Sequence, residues 1–92
     1  MKITFLKTTN PHFRRIKNKT KNVEIRNNDR NFKKLEVYGL LEYSELKGYS
    51  GELIIIKIIW VENYFEGLKE KYCMFGFKIL YEGYLHDFRS IK

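Results

Sequence analysis

The densest chemistry in this chain lies in one stretch, Phe13-Arg14-Arg15-Ile16-Lys17-Asn18-Lys19-Thr20-Lys21-Asn22, which packs five cations into ten residues with no acid. Clustered Lys and Arg suit a phosphate backbone, because each neutralised phosphate releases counterions and the affinity then falls as salt rises. The interleaved Asn and Thr add uncharged donors for phosphate and sugar oxygens. The stretch belongs to a larger patch. Residues 1–34 hold eleven Lys and Arg against two acids, Glu24 and Asp29, a net +9, whereas residues 35–92 hold seven cations against nine acids, a net −2. The whole formal excess of +7 therefore sits in the first third. Such asymmetry points to a polyanionic partner and says nothing about fold. Arg14, Arg15, Lys17, Lys19 and Lys21 are the expected main phosphate contacts, and Arg26, Arg30, Lys33 and Lys34 extend the patch.

Rings are the second resource. Twelve of the fifteen aromatic residues fall in 35–92: Tyr38, Tyr43, Tyr49, Trp60, Tyr64, Phe65, Tyr72, Phe75, Phe77, Tyr81, Tyr84 and Phe88. Single-stranded nucleic acid is held by base stacking on such side chains. Phe75, Phe77 and Trp60 are assigned to the core. Tyr38, Tyr43, Tyr81 and Tyr84 are the rings expected at the surface and available for stacking. No RNP-type pattern of basic residue, glycine and spaced aromatics occurs.

Catalytic constellations are sparse. His12 and His86 are the only histidines, and nothing in the sequence brings them together with a carboxylate such as Asp87. No Gly-rich phosphate loop, Ser/His/Asp order or paired-carboxylate spacing is present. Cys73, the sole cysteine, excludes an internal disulfide and a Cys-based zinc site, and reads as a small buried hydrophobe. No metal or cofactor is implied.

The elements that must position these groups follow from residue patterning. Lys2–Lys7 reads as a short strand with Ile3 and Phe5 on one face. Asn10 and Pro11 are suited to open a helix over about 11–17, whose Phe13 and Ile16 share a face. Val23–Arg26 alternates as a strand, and 27–31 is a turn cluster of Asn and Asp. Phe32–Tyr43 reads as a strand with a bulge at Gly39, and Lys47–Gly51 as a turn. Glu52–Val61 is the strongest strand, apolar on both faces and therefore central, with Ile54, Ile56, Ile58 and Trp60 opposite Lys57. Tyr72–Tyr81 is another strand, and Glu82-Gly83 turns the chain into a returning strand at Tyr84–Arg89. The expected fold is mainly β with one short N-terminal helix: a single domain over 1–92, with an antiparallel sheet of about five to six strands, curled or barrel-like. A basic segment at 7–34 precedes a β-rich aromatic body at 35–92.

Three functional readings follow. The first is a non-enzymatic nucleic-acid-binding protein. RNA is favoured over duplex DNA, because no recognition helix of useful length is visible. The second is a small inhibitor of counter-defence type that binds a host protein or ribonucleoprotein. Its motive is a residue usage rich in Lys, Asn, Ile and Tyr with no Ala, as in many phages and mobile elements. The third is a metal-independent ribonuclease using Lys, Arg, Tyr and Glu. The longest apolar run is far below membrane-spanning length, and Met1–Leu6 is too short for a signal peptide, so a cytoplasmic location is expected. An exposed strand edge at Lys2–Lys7 or Tyr84–Arg89 leaves a homodimer open.

Overall fold

The computed structural model describes residues 3–64 and 67–90, and the side chains of residues 89 and 90 stand outside that description. Lys2, Phe65 and the side chain of Arg89, all named above, thus lie outside the described residues. Five strands and two short helices follow in the order β1 (Thr4–Thr9), α1 (His12–Lys17), β2 (Val23–Asn27), β3 (Val37–Ser44), β4 (Gly48–Glu62), β5 (Tyr72–Tyr84) and α2 (Leu85–Ser90). The protein is mainly β, with one sheet of order β1-β3-β4-β5-β2 curled into a half-barrel.

β3, β4 and β5 form an antiparallel meander. β2 adds antiparallel to β5, while β1 adds parallel to β3, with Leu6 opposite Leu40. The expected antiparallel sheet is thus mixed. The departure arises because the chain leaves β1, crosses the inner face through α1 and emerges at the opposite edge as β2. This connection places the two N-terminal strands at the two sheet edges.

β4 is central, as its two apolar faces require. Ile54, Ile56 and Ile58 point inward, while Leu53 and Ile55 are buried on the outer face. Trp60 departs from the expected face. A bulge between Ile58 and Trp60 turns it outward opposite Gly76, where it is 38 % exposed. The inner face gathers one core from Leu6, Tyr38, Leu40, Cys73, Phe75 and Phe77 together with these isoleucines.

Two segments close that face. α1 inserts Phe13 and Ile16, three residues apart, as the sequence implies. Asn10 supports its start by accepting a hydrogen bond from the Arg14 N–H at 3.2 Å. The loop between β2 and β3 inserts Phe32, whose ring lies 5.0 Å from Tyr38 and 5.1 Å from Phe75. That loop is held by Asn28, whose side-chain oxygen accepts from the Phe32 N–H at 2.8 Å. Leu35 has φ +76° and Asn31 φ +52°, so the expected strand from Phe32 begins only at Val37.

The C-terminal end also differs from expectation. β5 does not turn at Glu82-Gly83 but runs on beside β4, pairing Tyr84 with Glu52. The thirteen residues of β5 are needed to satisfy the long β4 edge. The chain then forms α2 instead of a sixth strand, and Phe88 packs 5.7 Å from Tyr81 on the outer face.

Two glycines are seats for rings. A Cβ on Gly39 would lie 2.5 Å from the Phe5 ring, and one on Gly76 would lie 2.1 Å from Trp60 Nε1. Gly39 is therefore a close-approach site, and the bulge in β3 lies between Leu41 and Tyr43. Gly76→Ala should expel the indole and cost about 1–3 kcal/mol, the usual range for overpacking. Urea titration would read the loss. Trp60 is the only tryptophan, so a red-shifted emission should accompany it, and an unchanged spectrum would contradict this seating.

Candidate nucleic-acid interface

α1 rests on the inner face with its cations over a row of glutamates. By strand alternation, Glu42 of β3, Glu52 of β4 and Glu82 of β5 all point to that side. Arg14 spans the first two: its Nε lies 3.0 Å from Glu42 and its Nη2 2.7 Å from Glu52. Lys17 also pairs with Glu52, and Lys19 with Glu82. The Asn10 amide donates to Glu42 at 2.7 Å. Burial pushes the Glu42 carboxyl upward, but the Asn10 and Ser50 hydrogen bonds and the Arg14 charge outweigh it. The group therefore titrates below its ordinary value.

This has a consequence in acid. A carboxyl held low when folded stabilises the fold fully above its unfolded pKa, near 4.5, and that contribution drains as pH falls through the folded value. Glu42→Gln should therefore lose stability at neutral pH, and the gap to wild type should shrink below about pH 4. Urea midpoints at the two pH values measure it. A gap that persists in acid would rule out Glu42 ionisation as the cause.

A second cluster lies where the sheet's two edges meet. β2 turns Glu24 and Arg26 inward, opposite Phe75 and Cys73, and leaves Val23 and Ile25 on the outer side. The alternation is legible in the sequence, but its phase is the reverse of the usual apolar-inward one. Glu24, with 6 % of its side chain exposed, is held by Lys21 at 2.8 Å and Arg26 at 2.9 Å. Arg26 continues across the seam, donating to the Lys7 carbonyl at 3.1 Å and the Thr8 hydroxyl at 2.9 Å. A guanidinium thus joins β1 to β2 where no strand ladder does. Lys21 also donates to His12 Nδ1 at 2.9 Å. A hollow of about 230 Å³ opens beside this network, bordered by Thr8, His12, Glu24 and Arg26.

The structure therefore divides the expected phosphate contacts. Arg14, Lys17, Lys19, Lys21 and Arg26 are engaged by carboxylates. Arg15, Arg30, Lys33 and Lys34 are exposed and have no ion pair among the described residues. These four stand on the two segments that close the inner face, α1 and the β2–β3 loop. All four side chains are open to solvent.

The expected stacking rings also separate. Tyr38 is a core residue and not a surface ring: it is buried, and its hydroxyl donates to Glu36 at 2.9 Å. Burial and that bond push its pKa up to about 12. Tyr43 and Tyr81 are half-buried and Tyr84 is exposed. Tyr49, which the sequence leaves in a turn, is 58 % exposed on β4. Cys73 is buried, and burial raises its thiol pKa.

Among the described residues, no three His, Cys, Asp or Glu side chains gather into a metal-ligating group. None of their helices is long and apolar enough to cross a membrane. Glu42, Glu52 and Glu82 had no sequence signal beyond their charge, because their pairs link residues 28 to 63 positions apart. Glu24 had a weak one: it is the only acid in the first 28 residues. No curated protein matches the chain. Residues 3–77 match the model of DUF3850, a domain of unknown function, and the chain belongs to that family.

Proposed function

We propose that the protein is a non-enzymatic RNA-binding domain that grips phosphates from the inner-face side of its half-barrel. The observation that carries this reading is the set of four cations that have no carboxylate partner among the described residues, Arg15, Arg30, Lys33 and Lys34, on the two segments that close that face. A solvated cation with no internal partner gives up little when it meets a phosphate, whereas an engaged one must first leave its glutamate. The segments that carry the four groups are anchored to the sheet by buried Phe13, Ile16 and Phe32. RNA is favoured over duplex DNA, because α1 is one turn and a half long and presents no recognition face for a major groove. A cytoplasmic site of action accords with such a partner.

The test is a binding titration against single-stranded RNA and duplex DNA over a range of salt. Four phosphates neutralised on a single strand give a log–log slope of about −3. A flat salt response, or equal affinity for both polymers, would sink the proposal.

A further inference from the structure

The outer face of the sheet carries a second arrangement in which a cation and rings alternate. Phe5 and Lys7 of β1, Tyr43 of β3 and Tyr49 of β4 all point to that side. The register pairs Lys7 with Leu41 and Tyr43 with Tyr49. Lys7 Nζ stands 4.5 Å from the centroid of the Tyr43 ring. The Tyr43 and Tyr49 rings lie 5.0 Å apart in an edge-on arrangement. Tyr43 thus has a cation on one neighbour and an aromatic support on the other, while Tyr49 keeps 58 % of its surface exposed. Beyond them the β3–β4 hairpin tip presents Leu46, 91 % exposed. Phe5, seated over Gly39, is 36 % exposed on the same face.

We infer that this ledge is a stacking platform for unpaired nucleobases, with Tyr49 as the receiving ring and Lys7, on the far side of Tyr43, for a neighbouring phosphate. A ring fixed on a strand and braced by a second ring loses little freedom when a base stacks on it. A base inside a duplex cannot reach an exposed ring on an open sheet face, so the platform selects single strands. The inference rests on the RNA-binding proposal and refines it from a phosphate grip to a grip on the bases.

The experiment compares two polymers of about 12 nucleotides, one of uridine and one of the same backbone without bases. The proteins are wild type, Tyr49→Ala and Tyr49→Phe. Tyr49→Ala should weaken uridine-polymer binding roughly 5- to 150-fold and leave binding to the base-free polymer unchanged. Tyr49→Phe should stay within about twofold of wild type, since stacking needs the ring and not the hydroxyl. Unchanged uridine binding by Tyr49→Ala would overturn the platform, as would an equal loss on both polymers, which would assign Tyr49 to the fold. Failure of the parent proposal is distinct: wild type would then bind neither polymer in a salt-dependent way, and both ideas would fall together.

Discussion

Changing Arg15, Arg30, Lys33 and Lys34 together to Gln should remove most RNA affinity and most of its salt dependence. Each phosphate contact on a single strand contributes about 0.7 to the log–log slope, so four contribute about 3. Near 0.1 M salt, a slope of that size corresponds to about a thousandfold in affinity, measured against binding at 1 M. The four-glutamine variant should therefore bind on the order of 100- to 1,000-fold more weakly at that salt. Fluorescence anisotropy at several salt concentrations measures both quantities. The fold should be unaffected, because the four side chains are exposed and make no ion pair among the described residues.

A matched variant sharpens the result. Arg14, Lys17 and Lys19 are just as prominent in the sequence, yet each is engaged by Glu42, Glu52 or Glu82. Changing these three to Gln should move the slope little. If both variants flatten it equally per residue, the glutamates release their partners on binding, and free and engaged cations do not differ in their contribution.

Arg26→Met should cost roughly 3 kcal/mol of folding stability. That is the lower end for breaking a buried ion pair, because Arg26 keeps a fifth of its side chain in water. The loss has two parts. Glu24, almost fully buried, would keep only Lys21 as a charged partner. The Lys7 carbonyl and Thr8 hydroxyl would lose the guanidinium that joins the sheet's edges. For a domain of this size, whose total stability is on the order of 5–15 kcal/mol, this is a large fraction. Urea unfolding reads it directly. The double change Glu24→Met with Arg26→Met should recover part of the loss, since it no longer strands a charge in the interior. If the double variant is no better than the single one, the cost lies in the seam contacts and not in the stranded carboxylate.

Local patterning made much of the fold legible. The β-branched run in β4 announces a central strand, and the spacing of Phe13 and Ile16 places α1 on the core. The Asn-rich turn before Phe32 is likewise local, because Asn28 bonds the backbone four residues on. What escaped the sequence is non-local. Nothing in Lys2–Lys7 says that β1 runs parallel to β3, and nothing in Tyr84–Arg89 says that the strand ends at Tyr84. Those outcomes depend on which edge remains free and how long its neighbour is. The candidate interface divides the same way. The cations are legible as a class. Lys21 and Arg26 are engaged by the nearby Glu24, but Arg14, Lys17 and Lys19 are engaged by glutamates that only the sheet brings near, so these three could not be separated from the useful four.

The order of strands also shapes how the chain reaches this sheet. β3, β4 and β5 are consecutive neighbours and pair across short connections, whereas Thr4 of β1 must find Tyr38, 34 positions away. Closing such a loop carries a larger entropic cost before any contact rewards it. The central meander is thus the economical nucleus, and β1, α1 and β2 are later additions to its two sides. Until they dock, Arg14, Lys17 and Lys19 lack the glutamates of β3, β4 and β5, and the first third of the chain keeps more of its positive charge unpaired. Completion of the sheet is therefore also the step that pairs Arg14, Lys17 and Lys19 with glutamates, so a kinetic failure of edge docking would show itself as promiscuous anion binding before any loss of secondary structure.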